Sequence, residues 1–385
     1  MISRRAFLTT AGASVVIAGV GAGIWARGPG EAVARAPWKT AGQSFGDPRL
    51  DALAYAILAP NPHNRQPWLF ELRGQSEIWV RCQLDRRLPH TDPFDRQITI
   101  GFGCMLELLS MASANLGYRA EIDAFPQGAG ARSLDDRPIA RVTLTADKTV
   151  ERDALSDHIL ARRSLKDPFD VSRDVSEEAV ATVLAAVRGG HNVDASIDPA
   201  RVERLRKICF DGFVAEYVTD ETRRESIDLM RIGNRAIAKN PDGIDMGGLP
   251  MGLLNMAGIV TPESLDRPGT TAFEQGIEMY RDIIHSAMGF VWIHAADDAR
   301  LGQIEAGRDW VRMNLAAQSI GLGIHPLSQV LQEFPEMADH YQTARQELGA
   351  EGDDVIHMLG RLGYAMFTPA SPRWPLESRL VVESA

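Results

Sequence analysis

Four short runs hold the residue types that could grip a phosphorylated, planar ligand. The first is Ala59-Pro60-Asn61-Pro62-His63-Asn64-Arg65-Gln66-Pro67-Trp68-Leu69-Phe70. Its three prolines and two asparagines exclude a helix interior. It therefore reads as a rigid loop that fixes Asn64 and Gln66 and closes into a strand at Trp68. Each primary amide carries both a donor and an acceptor, which suits the edge of a heterocycle, although on chemistry alone an Asx-stabilised turn is the better account. The second run, Leu160-Ala161-Arg162-Arg163-Ser164-Leu165-Lys166, gathers two guanidiniums, a hydroxyl and an ammonium at a predicted helix end. Charge-assisted bonds from such a set would clamp a phosphate; the competing reading is a basic, solvated helix face. The third is Gly321-Leu322-Gly323-Ile324-His325-Pro326-Leu327-Ser328-Gln329, and the fourth pairs Gly360-Arg361-Leu362-Gly363-Tyr364 with Ser371-Pro372-Arg373.

Other chemistries find little footing. There is no GxSxG, HExxH or paired-carboxylate motif for hydrolysis. His63 and His325 stand alone beside the runs above and read as structural hydrogen-bonders. Cys82, Cys104 and Cys209 have no CxxC spacing and read as buried small hydrophobes.

The elements that must position these runs come in a repeated unit. Ile78–Asp85 reads as a strand leading to an apolar helix from Gly103 to Gly117, and Phe290–Asp297 leads in the same way to a helix from Gly307 to Gly321. Met111-Ala112 sits where Leu315-Ala316 recurs. Helices apolar all round belong at the centre of a body, and the recurrence predicts a duplicated unit. Between the copies we expect a strand at Ala140–Leu144, a helix through Arg152–Arg163, and a helix over Ala179–Val187 opened by capping at Val175-Ser176-Glu177-Glu178. The stretch 239–271 is rich in Gly, Pro and Met, too broken for a long helix and too apolar for a solvated linker. It reads as a lid over a ligand or, equally, as an irregular surface excursion.

The chain has 385 residues, 45% of them hydrophobic, and a formal net charge of -10. The acidic balance leaves no basic stripe for nucleic acid. The start, Ser3-Arg4-Arg5-Ala6-Phe7-Leu8 followed by an uncharged run from Thr9 to Ala26, has the layout of a twin-arginine export signal, with Ala32-Val33-Ala34 as a small-residue cleavage pattern. The run is also long enough to remain as an anchor, and beyond the N-terminus no run reads as spanning a bilayer. We divide the chain into a signal over 1–36, a first half over 37–150 and a second half over 151–385.

The motifs resemble those of the FMN-dependent nitroreductase family. The Asn64-x-Gln66-Pro67-Trp68 loop resembles that family's Pro-Ser-x-x-Asn-x-Gln-Pro-Trp segment, with Asn61 and Pro62 replacing the usual serines. Arg162, Ser164 and Lys166, with Arg163 between, take the places of its Arg-x-Ser-x-Lys/Arg run. Gly321-Leu322-Gly323 is similar to its Gly-Leu-Gly turn, after which the backbone of Pro326, Leu327 and Ser328 would follow the isoalloxazine ring. Arg373 matches the basic residue that completes the phosphate site. Ordinary members place the Arg-Ser run before the Asn-x-Gln run; here the order is reversed. With Asp85-Arg86-Arg87-Leu88-Pro89 and Asp92-Pro93, the chain resembles the Acg-type branch.

That resemblance implies an α+β, nitroreductase-like fold in which two tandem pseudo-repeats imitate the family homodimer within a monomer. It implies one composite FMN site, with the redox chemistry on the flavin and no catalytic side chain. The expected function is an exported oxidoreductase passing electrons to a nitro, quinone or similar small-molecule acceptor. Outside the cytoplasm, where NAD(P)H is scarce, a quinol would be the donor. The alternative is a catalytically quiet protein that stores or sequesters FMN. The twin-arginine machinery is the expected export partner and the periplasm the expected location.

Overall fold

A computed structural model describes residues 29–188, 192–366 and 368–381, so Arg4, Arg5 and the apolar run lie outside the described residues. In the first half, strands β1 (Trp68–Arg73) and β2 (Glu77–Cys82) form a hairpin. A 20-residue helix, Arg96–Asn115, leads to β3 (Tyr118–Ala124) and β4 (Ala140–Ala146). In the second half β5 (Asn192–Ser196) is followed by a long insertion, which carries the parallel pair β6 (Met230–Ile232) and β7 (Ile244–Met246). Then come β8 (Gly289–Ala295), a second 20-residue helix over Arg300–Ser319, β9 (Gly323–Pro326) and β10 (Val355–Gly363). The last strand is β11 (Leu380–Val381).

The sheet orders expose the duplication. The first sheet runs β11-β1-β2-β4-β3 and the second β5-β8-β10-β9, so four strands correspond one to one. The helices Pro48–Ala56 and Glu177–Leu184 precede the two copies. The α+β class and the doubled strand–helix unit expected from the sequence are both present.

The two long helices correspond residue for residue at an offset of 204, and they cross where the copies meet. A Cβ on Gly103 would lie 2.0 Å from the carbonyl oxygen of Ile304, and one on Gly307 would lie 1.9 Å from that of Ile100. Neither distance is compatible with a side chain, so two equivalent glycines let backbone pack on backbone. These glycines, expected to open the helices, are interior crossing points; both helices begin seven residues earlier.

Helix Arg96–Asn115 also corrects the expectation that nothing beyond the N-terminus could span a bilayer. Its length and composition suffice, yet 89% of its apolar window is buried inside the protein, which is the position of a core helix.

Three further differences have local causes. The helix expected through Arg152–Arg163 is a single 3-10 turn, Ala154–His158, started by Asp153 accepting from the Leu155 amide at 2.9 Å. The chain then extends to reach β9, where the Leu165 amide donates to Ile324 O. The helix after Ser176 does form, as Glu177–Leu184, with the Ser176 hydroxyl accepting from Ala179 N. The 239–271 stretch is broken, as expected, into β7 and the short helices Leu249–Met256 and Pro262–Asp266.

Each half lends its tail to the other. Residues after β4 cross to β9, and residues after β10 cross back, so that β11 pairs in parallel with β1 (Phe70 opposite Leu380). One core fills the space under the first sheet and around both long helices. A second packs Phe213, Phe290, Trp292 and Leu327 beneath the second sheet.

Candidate functional site

The site starts at the end of helix Pro48–Ala56, which Asp47 caps by accepting from the Arg49 amide at 2.9 Å. Beyond it the chain turns sharply. His63, Asn64 and Gln66 all take left-handed backbone angles, with φ of 46°, 51° and 49°. Such a cluster in non-glycine residues persists only where its surroundings force it. Asn61 supplies one constraint, its side-chain oxygen accepting from the Gln66 amide at 2.7 Å.

The amides expected to face a ligand are spent on the protein. Gln66 is fully buried; Nε2 donates to Pro241 O at 2.9 Å and Oε1 accepts from the Trp374 amide at 2.9 Å. Asn64 donates to Pro372 O at 3.0 Å and accepts from Arg373. Both side chains therefore lock the loop to the C-terminal run and the insertion.

What the loop presents instead is a set of cations. Arg373 donates to Leu58 O and Ala59 O, each at 3.0 Å, and Arg162 reaches Leu58 O at 3.4 Å. Arg163 and Arg373 stand over the face of Trp38, 4.8 and 5.5 Å from the ring centroid. Ser164 Oγ lies 3.5 Å from the Arg162 guanidinium. Lys166 is reached by solvent but is surrounded by protein, and burial lowers its ammonium pKa.

The charge in this cluster is not offset. The buried Nε atoms of Arg162, Arg163 and Arg373 each lack a hydrogen-bond partner among the described residues. Burial, reinforced by Arg163, pulls Arg162 down to about 10; burial with Arg162 and Arg163 puts Arg373 well below the usual arginine range. Of the two carboxylates acting on Lys166, Asp245 is already paired with Arg35 and Asp167 accepts from the Thr368 hydroxyl at 3.1 Å. Buried guanidiniums without a counter-charge carry a large desolvation penalty, which a bound anion would remove.

The third run joins this cluster through the backbone. Leu165 N donates to Ile324 O, and Arg361 donates to Leu165 O at 3.1 Å and Asp167 O at 2.7 Å. His325 Nδ1 accepts from Arg361 Nε at 3.0 Å, the structural role expected of it. His63 departs from that role. Its Nδ1 is buried without a partner among the described residues, and burial beside Lys166 and Arg65 pulls its imidazole down to about 4. Pro326 ends β9 and Ser328 is half-buried after it. Leu327 turns into the second core, and its amide donates to Leu359 O.

The insertion lies directly on the loop. The Gly243 amide donates to Asn64 O at 3.3 Å, and Asp242 accepts from Arg86 at 2.7 Å, Arg231 at 2.8 Å and Trp374 Nε1 at 3.1 Å. Arg35, Trp38, Asp242 and Trp374 were not anticipated as site residues. Arg35 falls inside the segment assigned to the signal, yet it binds Asp245 and Ala370 O. The only sequence sign for the two tryptophans was that each stands between a proline and a basic residue, and Asp242 had none.

The copy-related position is built in the opposite way. Leu58 stands two residues past the first short helix, and Ala186 two residues past the second. Ala186 O accepts from Arg312 at 2.6 Å, but here Glu107 receives Arg188, Arg308 and Arg312 at 2.8–3.1 Å, and Asp153 also pairs with Arg312. Protein carboxylates balance those arginines. One location is electrically closed and the other is open.

No family model matches the chain. It is similar to a mycobacterial nitroreductase-like protein. Rv3131 of Mycobacterium tuberculosis, whose name assigns it provisionally to the NAD(P)H nitroreductases, is 25% identical over 341 residues, covering 84% of this chain and 91% of that protein. Rv3127 of the same organism, uncharacterised, is 31% identical over 126 residues, 35% of its length. Among solved structures, the FMN-dependent nitroreductase NfnB of Mycobacterium smegmatis, in complex with NADPH, aligns over 96% of its length and 58% of this chain at 20% identity and a TM-score of 0.36. A nitroreductase of Bacteroides fragilis with bound FMN aligns similarly, at 13% identity and a TM-score of 0.35.

Proposed function

We propose that this chain is an FMN-binding oxidoreductase of nitroreductase type, exported by the twin-arginine route, with one flavin site. The observation that carries the reading is the open cluster of Arg162, Arg163, Arg373 and Lys166, in which the three arginines have buried Nε atoms lacking hydrogen-bond partners among the described residues. Such a cluster fits the phosphate of a mononucleotide. The likeness to Rv3131, which spans most of both chains, agrees with it.

In this reading Arg162, Arg163 and Arg373 hold the phosphate, Ser164 and Lys166 lie beside it, and the β9 end with Pro326, Leu327 and Ser328 flanks the ring. Bound FMN would supply hydride acceptance and electron delivery to a nitro, quinone or similar acceptor. The protein's task is to bind, orient and shield it.

A second reading, a quiet FMN-storage protein, is favoured by one observation: the backbone of Pro241 and Gly243 is bonded onto the very loop that builds the site. Purified protein should be yellow, with about one FMN per chain. A chain that stays colourless after reconstitution overturns the flavin reading. Turnover of nitroaromatics or quinones by the loaded protein favours the enzyme, and its absence favours storage. For export, Arg4→Lys with Arg5→Lys keeps the charge but removes the guanidinium pair, and should leave folded, flavin-loaded protein in the cytoplasm.

A further inference from the structure

The strap 34–41 runs along the outside of the cation cluster and touches most of what builds it. Trp38, buried, offers its face to Arg163 and Arg373, and its Nε1 donates to Ser371 O at 2.8 Å. The Arg373 amide donates to Ala34 O at 2.8 Å. Arg35 bonds Ala370 O and the Asp245 carboxylate of the insertion. The strap is itself hydrogen-bonded, with Thr40 donating to Ala36 O and Ala41 to Pro37 O.

We propose that Trp38 is a positioning residue for this anion site, and that a phosphate bound there fixes the strap, so that loading is displayed at the N-terminal end of the described chain. The inference rests on the FMN reading above. With no anion present, Arg162, Arg163 and Arg373 are like charges crowded in a desolvated corner, where Arg163 lowers the affinity of Arg162 for a proton and both lower that of Arg373. The electron-rich face of Trp38 offsets that charge on one side only. An anion supplies the other side. It steadies Arg163 and Arg373 against the ring, and the bonds of Trp38 to Ser371 O and of the Arg373 amide to Ala34 O hold the strap. A ligand that prefers the strap-closed state shifts the population toward it, and the strap tightens the ligand by the same factor. In sequence the strap follows the basic-headed apolar run read as an export address, so the loading state is presented beside that address.

The test compares hydrogen exchange at the 36–41 and Arg373 amides in the full chain stripped of flavin, reloaded with FMN, or given riboflavin, which lacks the phosphate. FMN should slow exchange there by about tenfold or more and riboflavin should not. Trp38→Leu should weaken FMN binding by about tenfold, and Trp38→Phe, which keeps an aromatic face, should restore most of it. FMN binding with unchanged strap exchange overturns this inference and leaves the site reading intact. Protection by riboflavin equal to that by FMN overturns the role of the phosphate. A Trp38→Leu protein that holds FMN as tightly as the natural chain overturns the positioning role. No FMN binding to any form overturns the site reading itself. The exchange experiment uses the natural chain and is independent of whether Trp38→Leu folds.

Discussion

Arg373 faces two ways at once. Its two terminal nitrogens are spent on Asn64, Ser371, Pro372, Leu58 and Ala59, so it ties the C-terminal run to the loop after the first short helix. Its Nε remains without a partner, beside two other guanidiniums in the same condition. Arg162 carries less of the scaffold, with contacts to Leu58 O and Ser164 Oγ. Arg162→Ala should therefore leave the fold intact and cost about 1.5–3 kcal/mol of flavin affinity, and adding Arg373→Ala should strip the flavin entirely. Flavin retained through gel filtration by the double variant would mean these arginines are only helix-end caps. At this scale the run of cations was legible, although its residue types alone suit a solvated basic face as well as a bound anion. The fate of Asn64 and Gln66 was not. An amide's donors and acceptors suit a ligand or a backbone equally, and partners such as Trp374, 308 residues away, leave no local trace.

The element that decides between catalysis and storage is the insertion. It is bonded to the loop at Pro241 and Gly243, and between them Asp242, a buried carboxylate with three donors from three parts of the chain, anchors it to Arg86, which itself donates to Arg65 O of the loop. Burial pushes its pKa up, but the bonds to Arg231, Trp374 and Arg86 prevail and hold it below the ordinary value. Removing one partner from such a buried set costs about 3–5 kcal/mol. Asp242→Ala should thus free the 239–247 stretch, speeding both flavin release and its reduction by added donors, as read by stopped-flow absorbance. Unchanged rates would show that the insertion does not limit access. The broken character of this stretch was plain from its glycines and prolines. What it lies on was not, since Gly243 and Pro241 act through backbone atoms, which carry no sequence signature. The 152–163 segment misled for a related reason. Its residues favour a helix locally, but the chain there must cross from the first sheet to β9.

At the scale of the molecule, everything turns about the contact of Gly103 with Gly307. Alanine at either would place a methyl group about 2 Å from a carbonyl oxygen and force the two long helices apart. Gly103→Ala should lower stability by at least about 1–3 kcal/mol in denaturant titration, and Gly307→Ala by a similar amount because the positions are equivalent. A large difference between them would break the two-fold argument. Half of the duplication was visible in sequence, as a strand followed by an apolar helix that recurs in the second half. The correspondence of β3 with β9 and β4 with β10 was not, because strands of four to nine residues hold too little pattern. The same two-fold shows how duplication permits divergence. Glu107 balances the arginines on one side, and the arginines on the other side have no such carboxylate among the described residues.

The bond between Arg373 and Asn64 spans 309 residues of chain. At about 5–20 residues per second, the loop leaves the ribosome roughly 15–60 seconds before the arginine that completes the pocket. β1 likewise waits for β11. The N-terminal segment therefore emerges long before anything can bind in the pocket behind it. A nascent chain cannot capture its ligand during synthesis. Whatever recognises the N-terminus early meets an empty, unfinished body, and only the released chain can present a filled one.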